Sequence, residues 1–526
     1  MSESHTKKAQ PEDADAAVSV NIGAMEKDVV DDTYVPTLSA EEDAQILRKI
    51  DLYLIPIFLF SYLFQTLDKQ ALGFSAIMGL EEDLNLSGSQ YSWASSIYYF
   101  GYLAFSYPAS YLIVKLPLGK LIASAWYVLI PQPETGLEHK IWIQLTSTLS
   151  STMWGAVLIA SAGSFNASGL LAARFFLGVA EASIAPGLAT MVSMWYKKSE
   201  QPLRHGVWFM GNVMAGFFSS LLSYAISFIK AGISPWQILF IIFGSVTMLW
   251  GLCLLWLIPD HPTTARFLSP EQREKAVIRV ATNMSSVKND TFKMYQLLEG
   301  LADIKMWLLV LIMLSSNLAN GLQSFQSIIL KGFGFSKVHT YLIQMISTAF
   351  QALAVIIATA GSTYIKNSRT YFMVAIYAVG IAGAVMVQKI DPEHLWARFF
   401  GFCLCVSFVG NFPMVFAMST ANFAGFTKKA TVNAAIFVAY CAANIASPQL
   451  FKASEAPNYE SGFTACIICL SAAAMLSGVL RYYLIWENKK RDQLYGVPEN
   501  NPEEVDLTQN LEDKTDAELP EFRYSI

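Results

Sequence analysis

Charged side chains are scarce in this chain of 526 residues. Asp, Glu, Lys and Arg together make up 15% of it, hydrophobic residues make up 54%, and the mean hydropathy is +0.39. Soluble domains carry about 25% charged residues, so this composition excludes an ordinary soluble globular protein. The formal net charge is -5, which does not favour binding to nucleic acid. We therefore expect a protein of the lipid bilayer with no nucleic-acid partner.

Cysteine and histidine are also rare, with six of each. The cysteines all fall in apolar windows, where a free thiol behaves as a small hydrophobic side chain. The Cys466-x-x-Cys469 pair lacks the second pair that a metal or redox site needs. The histidines lie mostly in loops, and the sequence contains no nucleophile motif and no set of metal ligands. We expect neither an enzyme nor a bound cofactor or metal.

Long apolar windows dominate the rest of the sequence. A transmembrane helix needs about 20 apolar residues, and windows of that length predict twelve spans. The alternating segments of a membrane β-barrel are absent from the sequence, which favours an all-α membrane protein. The predicted span centres lie near Phe58, Phe100, Val157, Ala180, Phe217 and Thr247, and near Leu314, Phe350, Val379, Cys405, Val438 and Ala473.

Polar segments divide the chain into five parts. We predict a disordered cytosolic tail over residues 1–44, a six-helix half over 45–258, a cytosolic linker over 259–305, a second six-helix half over 306–486 and a solvated cytosolic tail over 487–526. Two six-helix halves suggest a duplication, which is a transporter plan with a central site. Lys and Arg occupy every second loop, so the positive-inside rule places those loops and both termini in the cytosol.

Two capping boxes predict helix starts outside the apolar windows. The sequence from Ser269 to Gln272 predicts a linker helix that ends near Ala281. The sequence from Ser39 to Glu42 predicts a surface helix that runs into the first span.

The fourth predicted span carries two charges, Arg174 and Glu181, separated by nearly two helical turns on one face. An ionised side chain at the bilayer centre costs about 2.5 to 3.5 kcal/mol, so both residues should face the bundle interior. The first span adds Asp68 and Lys69 at a compatible depth. Two interpretations stay open. Asp68 and Arg174 form a fixed ion pair that stabilises packing, or Arg174 binds a substrate carboxylate while Glu181 or Asp68 carries a coupled proton.

Several predicted spans contain more amide side chains than a lipid-facing surface tolerates. Asn320 and Gln323 lie one helical turn apart and can contact one ligand. A single amide is equally compatible with an interhelical hydrogen bond. Besides Arg174, the predicted substrate-binding residues are Asn212 in the fifth span, Asn317, Asn320 and Gln323 in the seventh, and Asn433, Tyr440 and Asn444 in the eleventh.

Long segments of the sequence resemble the fungal allantoate permease-like group of the anion:cation symporter family, within the major facilitator superfamily. The resemblance covers the chain from about Asp43 to Arg491. The segments that carry it include LDKQALGFSAIMGLEEDLNLSGSQYSWASSIYYFGYL, KLPLGK, RFFLGVAEASIAPG, MWYKKSEQPLRHGVWFMGN and LIPDHPTTARFLS in the first half and TKKATVNAAIFVAYCAANIASPQLF in the second.

This resemblance implies twelve transmembrane helices in two pseudo-symmetric halves that work by alternating access. It implies proton-coupled uptake of a small organic anion, such as allantoate or another ureido acid, nicotinate or pantothenate. It also implies a monomer in the plasma membrane. Two other functions stay open, a drug or metabolite exporter of the same fold and a nutrient sensor that does not transport.

The loop after the second span has two features of its own. By resemblance, Lys115, Gly119 and Lys120 form an inter-helix latch that stabilises the outward-open state. Residues 126–151 then separate this motif from the third span, whereas in the family the two are almost contiguous. A gene-model artefact and a genuine insertion are both compatible with this departure.

Overall fold

The computed structural model describes residues 39–115, 154–182, 184–197, 200–229, 232–259, 262, 265–281, 293–365, 367–496 and 513–526. The chain divides into Met1–Ala44 and a compact unit, Gln45–Ile526, which contains the site. The insertion at 126–151 lies outside the described residues.

The first half of the bundle contains seven helices in the described part of the chain. They are α1 (Ala40–Ile77), α2 (Gln90–Lys115), α3 (154–161), α4 (Ala167–Glu181), α5 (Ile184–Trp195), α6 (Gln201–Ile226) and α7 (Pro235–Leu257), with one short turn at Leu80–Asp83.

Two helices of the linker follow, and then the second half. The linker contains α8 (Pro270–Ala281) and α9 (Met294–Ala302). The second half contains α10 (Ile304–Leu318), a turn at Gly321–Ser324, α11 (Gln326–Gly332), α12 (Lys337–Tyr364), α13 (Arg369–Lys389), α14 (Leu395–Cys405), α15 (Phe412–Asn422), α16 (Phe426–Ala446) and α17 (Glu460–Tyr495). Short 3-10 helices lie at Val406–Asn411, Ser447–Leu450 and Ala453–Glu455.

Among the described residues, nine helices are long and apolar enough to cross a membrane. They contain nine of the twelve predicted span centres. The other three centres, Phe100, Val157 and Ala180, lie in α2, α3 and α4. The predicted all-α membrane architecture is therefore confirmed.

Two spans of the second half are interrupted, and a third ends in a 3-10 turn. The seventh span breaks between α10 and α11, the tenth passes through the 3-10 segment Val406–Asn411, and the eleventh ends in the 3-10 turn Ser447–Leu450, which contains Pro448. Proline lacks the backbone N–H that a continuing α-helix needs, and this explains the last break. Interrupted helices expose backbone polar groups, which a bundle tolerates where they face a cavity.

Each predicted capping box forms. Ser39 and Glu42 exchange backbone-to-side-chain hydrogen bonds of 3.3 Å in both directions, and Ser269 and Gln272 do the same at 3.3 Å. The linker helix α8 ends at Ala281, as the sequence predicts. Its buried Arg279 forms an ion pair with Glu200 of the first half.

The C-terminal end differs from the expectation of a solvated tail. Helix α17 continues to Tyr495, and residues 513–526, the C-terminal strap, pack against the second half. The buried Asp516 carboxylate lies 2.7 Å from the Nζ atoms of both Lys305 and Lys428 and accepts a hydrogen bond of 2.9 Å from the Tyr524 hydroxyl. These partners offset the cost of removing the carboxylate from water, which composition alone does not reveal.

Helices α2 and α4 cross with almost no side-chain space between them. A Cβ atom built on Gly178 would overlap the backbone carbonyl oxygen of Tyr98, and one built on Gly101 would overlap that of Phe175. This close approach requires glycine. It brings the Tyr98 side chain to Glu181.

Candidate functional site

A narrow cavity lies between the two halves of the bundle. Its lining comes from α1 and α6 of the first half and from the seventh, tenth and eleventh spans of the second. The centre of a water molecule can reach about 40 Å³ of it. The lining residues are Tyr62, Phe209, Asn212, Ser316, Asn317, Asn320, Gln323, Phe408, Val409, Phe412 and Tyr440.

Five of the predicted substrate-binding residues line this cavity, namely Asn212, Asn317, Asn320, Gln323 and Tyr440. Asn444 lies beside it, because its Oδ1 accepts a hydrogen bond of 2.6 Å from the Asn320 side chain. Asn433 is not a lining residue. Its Oδ1 accepts a hydrogen bond of 2.7 Å from Ser419 of α15, which corresponds to the interhelical interpretation.

Glu181 is fully buried at the end of α4. Its Oε2 accepts a hydrogen bond of 2.6 Å from the Tyr98 hydroxyl, and its Oε1 accepts one of 3.1 Å from the Trp154 indole nitrogen. The backbone carbonyl of Glu181 accepts a hydrogen bond of 3.3 Å from Gln65 Nε2 of α1. Three helices besides α4 therefore hold this residue.

Arg174 is also buried, between α1 and α7 rather than at the cavity wall. Its Nη1 donates a hydrogen bond of 3.3 Å to the backbone carbonyl of Asp68, and its guanidinium carbon lies 5.5 Å from the centre of the Phe240 ring. The Nε and Nη2 atoms have no hydrogen-bond partner among the described residues. Arg174 thus contacts the main chain at Asp68.

The Asp68 carboxylate makes a different contact. Its Oδ1 accepts a hydrogen bond of 3.3 Å from the Thr247 hydroxyl, and its Oδ2 has no partner in the described part of the chain. In this conformation Asp68 and Arg174 do not form the closed ion pair that one interpretation of the sequence requires.

Lys69 lies against two aromatic rings of α2. Its Nζ is 5.3 Å from the ring centres of both Tyr98 and Tyr102 on α2. The Tyr102 ring in turn contacts Phe437 of α16, with ring centres 5.2 Å apart. The neighbouring Tyr99 ring contacts the cavity residue Tyr440 at 5.8 Å. A series of aromatic contacts therefore runs from Lys69 to the cavity residue Tyr440.

Sequence reasoning missed the partners of Glu181, which are Gln65, Tyr98 and Trp154. One signal was available. Gln65 and Lys69 on α1, and Tyr98 and Tyr102 on α2, are pairs with i,i+4 spacing, and such pairs share a helix face. The Trp154 contact brings together distant parts of the chain, which periodicity does not report.

The predicted latch can be placed only in part. Lys115 is the last residue of α2, and Gly119 and Lys120 lie outside the described residues.

At one end of the bundle, where residues 78–89 connect α1 to α2, the halves contact each other directly. The Tyr91 hydroxyl donates to the Ser324 carbonyl at 3.0 Å, and the Ser95 and Ser324 hydroxyls are 3.0 Å apart. The hydroxyl of the adjacent residue Ser96 donates to the Ile445 carbonyl at 2.7 Å. These hydrogen bonds join the two halves at this end of the bundle.

Comparison with known proteins gives consistent results. The sequence profile described as Major Facilitator Superfamily matches residues 141–448. An uncharacterized transporter of Schizosaccharomyces pombe is 33% identical over 94% of this chain and 88% of its own length. The allantoate permease of Saccharomyces cerevisiae is 31% identical over 93% of this chain and 88% of its own length.

Among solved structures, that of a proton:xylose symporter bound to 6-bromo-6-deoxy-D-glucose superposes with a TM-score of 0.59 at 11% identity. It covers 83% of this chain and 96% of the symporter chain. At this identity the likeness concerns the fold, and it agrees with the two-half arrangement of spans described above.

Proposed function

This chain belongs to the major facilitator superfamily, in its fungal allantoate permease-like group, and as such is a multi-pass membrane transporter of small molecules; we propose that it takes up a small organic anion together with a proton. The observation that carries the proposal is the group of four ionisable side chains within the first half: Asp68, Lys69, Arg174 and Glu181.

The balance of charge in this group supports coupling. With both carboxyls ionised, Asp68 and Glu181 offset Lys69 and Arg174. A proton on one carboxyl leaves an uncompensated positive charge in a site with little water, which is unfavourable. An anion near Lys69 or Arg174 removes that excess. Proton and anion therefore favour each other's binding, and such reciprocal coupling is what symport requires.

Among the described residues, the unpaired nitrogens of Arg174 also favour a role in substrate binding over a purely structural role. A guanidinium group has five N–H donors arranged to bind carboxylate in a bidentate manner. Two of the three Arg174 nitrogens have no partner among the described residues. A fixed structural arginine at the same depth would be expected to satisfy them.

The cavity amides supply specificity in this proposal. Asn317, Asn320 and Gln323 project from the interrupted seventh span, and Asn212 faces them from α6. Amides donate and accept hydrogen bonds, as recognition of a ureido or carboxamide group needs. Small-molecule pockets usually span about 300 Å³ or more. The halves therefore have to separate before a nutrient-sized cargo can enter.

We further propose that the transporter lies in the plasma membrane with both termini in the cytosol. The distribution of Lys and Arg over alternate loops supports this orientation. The contacts of Tyr91, Ser95 and Ser96 with the second half then lie on the extracellular side, and in this proposal the described conformation is closed to the outside.

The test is uptake by cells that express the cDNA-verified protein. Labelled allantoate, nicotinate and pantothenate are supplied at external pH 5 and pH 7. We expect one anion to enter faster at pH 5, and we expect Glu181→Gln to remove the difference between the two pH values. Arg174→Ala and Lys69→Ala should each lower uptake at both pH values.

Glu460→Gln is the matched control, because Glu460 is an exposed carboxylate on α17. It should transport like wild type at equal surface expression. Uptake that ignores external pH, or loss of a hydrophobic cation from preloaded cells without uptake of any anion, would contradict the proposal. The second of these results would indicate an exporter.

A further inference from the structure

The two hydrogen-bond donors to Glu181 are chemically different. The Trp154 indole N–H can only donate, whereas the Tyr98 hydroxyl can donate or accept. Each donor contacts its own carboxyl oxygen, Trp154 at Oε1 and Tyr98 at Oε2. A carboxylate can accept from both. A protonated carboxyl must donate its own hydrogen to one of its two neighbours, and Trp154 has no lone pair available to receive it.

We propose that Trp154 is a positioning residue which reserves Oε1 as an acceptor, so that the transported proton binds Oε2 and Tyr98 changes from donor to acceptor. This inference rests on the proposed function, in which Glu181 carries the proton. On loading, one O–H bond forms at Oε2 with a proton taken from water. Tyr98 keeps its own proton and turns its O–H bond away. On release, the same bond at Oε2 breaks and the proton returns to water.

The same buried cluster contains an unused hydrogen-bond acceptor. Gln65 belongs to the same buried cluster, because its Nε2 contacts the Glu181 carbonyl at 3.3 Å and the Tyr102 hydroxyl at 3.5 Å. Its Oε1 is buried and has no hydrogen-bond partner among the described residues. The cluster therefore contains an acceptor whose capacity is unused while Tyr98 donates to Glu181.

Other charged groups act on Glu181 as well. Lys69 and Asp68 of α1 and Arg174 of α4 interact with it electrostatically, as do the hydroxyls of Tyr62, Tyr99 and Tyr102. They influence how readily Glu181 takes up a proton, but none of them selects one oxygen over the other as a donor-only group does. The separate roles of Trp154 and Tyr98 can therefore be distinguished by substitution.

The two donors should respond differently to removal. Trp154→Phe removes the donor to Oε1 in both the charged and the protonated form, so the carbonyl oxygen of the protonated form loses its hydrogen bond. Tyr98→Phe removes one hydrogen bond at Oε2 from the charged form and one from the protonated form. Both substitutions should raise the protonation midpoint, because a hydrogen bond to the charged form is the stronger one, and the C=O frequency distinguishes them.

The experiment is an infrared pH titration of the purified full-length protein without cargo. The C=O stretching band of protonated Glu181 is identified as the band that Glu181→Gln lacks. We expect Trp154→Phe to move this band to higher frequency, because the carbonyl oxygen has lost its donor, and to raise its midpoint. Tyr98→Phe should leave the frequency nearly unchanged, because its hydroxyl bonds the protonated oxygen and not the carbonyl oxygen.

Trp250→Phe is the control, since the Trp250 indole donates to Ser61 at 3.3 Å and does not contact Glu181. An unchanged midpoint and frequency in Trp154→Phe would overturn the inference while leaving the proposed function intact. If Trp154→Phe does not fold, a large frequency shift in Tyr98→Phe would overturn it in the same way. Absence of any band assignable to Glu181 between pH 4 and pH 9 would overturn the proton-carrying role, and this inference with it.

Discussion

Single glycines determine how closely the helices around the site approach one another. Gly178 lies between Arg174 and Glu181 in sequence, and a Cβ there would meet the Tyr98 carbonyl. We expect Gly178→Ala to lower the free energy of unfolding by about 1 to 3 kcal/mol, because backbone has to move, and to reduce uptake. Thermal unfolding in detergent measures the first effect.

Gly478→Ala is the matched control, because no atom lies within 4 Å of a Cβ built at Gly478 of α17. This substitution should leave stability unchanged or slightly raised, since alanine favours helix over glycine. Equal destabilisation by the two substitutions would contradict the close crossing of α2 and α4.

The amide residues provide a second prediction for individual positions. Asn320 lines the cavity and holds Asn444, whereas Asn433 bonds to Ser419 outside the lining. Loss of a hydrogen bond to cargo is worth about 1 kcal/mol or more, so Asn320→Leu should raise the KM for the transported anion about fivefold or more. Asn433→Leu should leave KM within twofold. A larger rise in KM for Asn433→Leu than for Asn320→Leu would place Asn433 in the binding site and contradict this arrangement of the amides.

Sequence reasoning identifies which residues are polar within spans but not which way each one faces. The spacing of Asn320 and Gln323 predicts that they contact one ligand, and both line one cavity together with Asn317. Asn433 is predicted as an amide within a span and Arg174 from its charge, and neither lines the cavity. The difference depends on helix rotation and on the positions of neighbouring helices, which a single sequence does not specify.

Among the elements, the C-terminal strap is held against the second half by buried ion pairs. Asp516 bridges Lys305 near the start of α10 and Lys428 near the start of α16, the helices that carry the cavity residues Asn317 and Tyr440. Removing one partner of a buried ion pair costs about 3 to 5 kcal/mol. Asp516→Asn should lower the unfolding midpoint clearly in a thermal scan. Glu521→Gln, an exposed position in the same strap, should not change it.

The pH dependence of the strap follows from the same contacts. Burial by itself raises the pKa of Asp516, but the charges of Lys305 and Lys428 outweigh burial and lower the pKa to about 2. A lowered carboxyl pKa gives stability that is complete above the unfolded value near 4 and disappears as the pH falls towards 2. We therefore expect no change in the Asp516 contribution between pH 5 and pH 7. A thermal scan of wild type and Asp516→Asn at both values measures this, and a difference that shrinks at pH 5 would contradict the low pKa.

Some elements could be predicted from sequence and others could not. The helix starts at Ser39 and Ser269 followed from local capping chemistry, in which all partners lie within four residues. The strap did not, because its composition is that of a solvated tail and its partners, Lys305 and Lys428, are distant in sequence. The interruption of the seventh span at residues 319–320 also has no strong local signal, since neither residue excludes a helix.

At the scale of the whole molecule, alternating access requires the contacts of Tyr91, Ser95 and Ser96 with the second half to open. The Ser95 and Ser324 hydroxyls, one from each half, are 3.0 Å apart. We expect the double substitution Ser95→Cys and Ser324→Cys to form a disulfide under oxidation, because the two side chains are in direct contact. The crosslink should stop uptake, and a reductant should restore it. Each single substitution is a control, and full uptake by the crosslinked protein would contradict the rocking of the halves.

The whole fold was the most predictable level. Apolar windows indicated the spans, the polar linker separated two halves, and long motifs indicated the family that the relatives then showed. The central cavity follows from the duplication. The direction and coupling of transport do not, because they depend on which of two nearly equal conformations each ligand favours.

The measurement that tests the central claim most directly is proton movement in proteoliposomes that contain the purified protein and an internal pH dye. Inward gradients of allantoate, nicotinate and pantothenate are imposed one at a time. The account predicts that one of them acidifies the lumen and that Glu181→Gln abolishes this acidification. An anion that enters without any movement of protons, or acidification that persists in Glu181→Gln, would contradict proton coupling through Glu181.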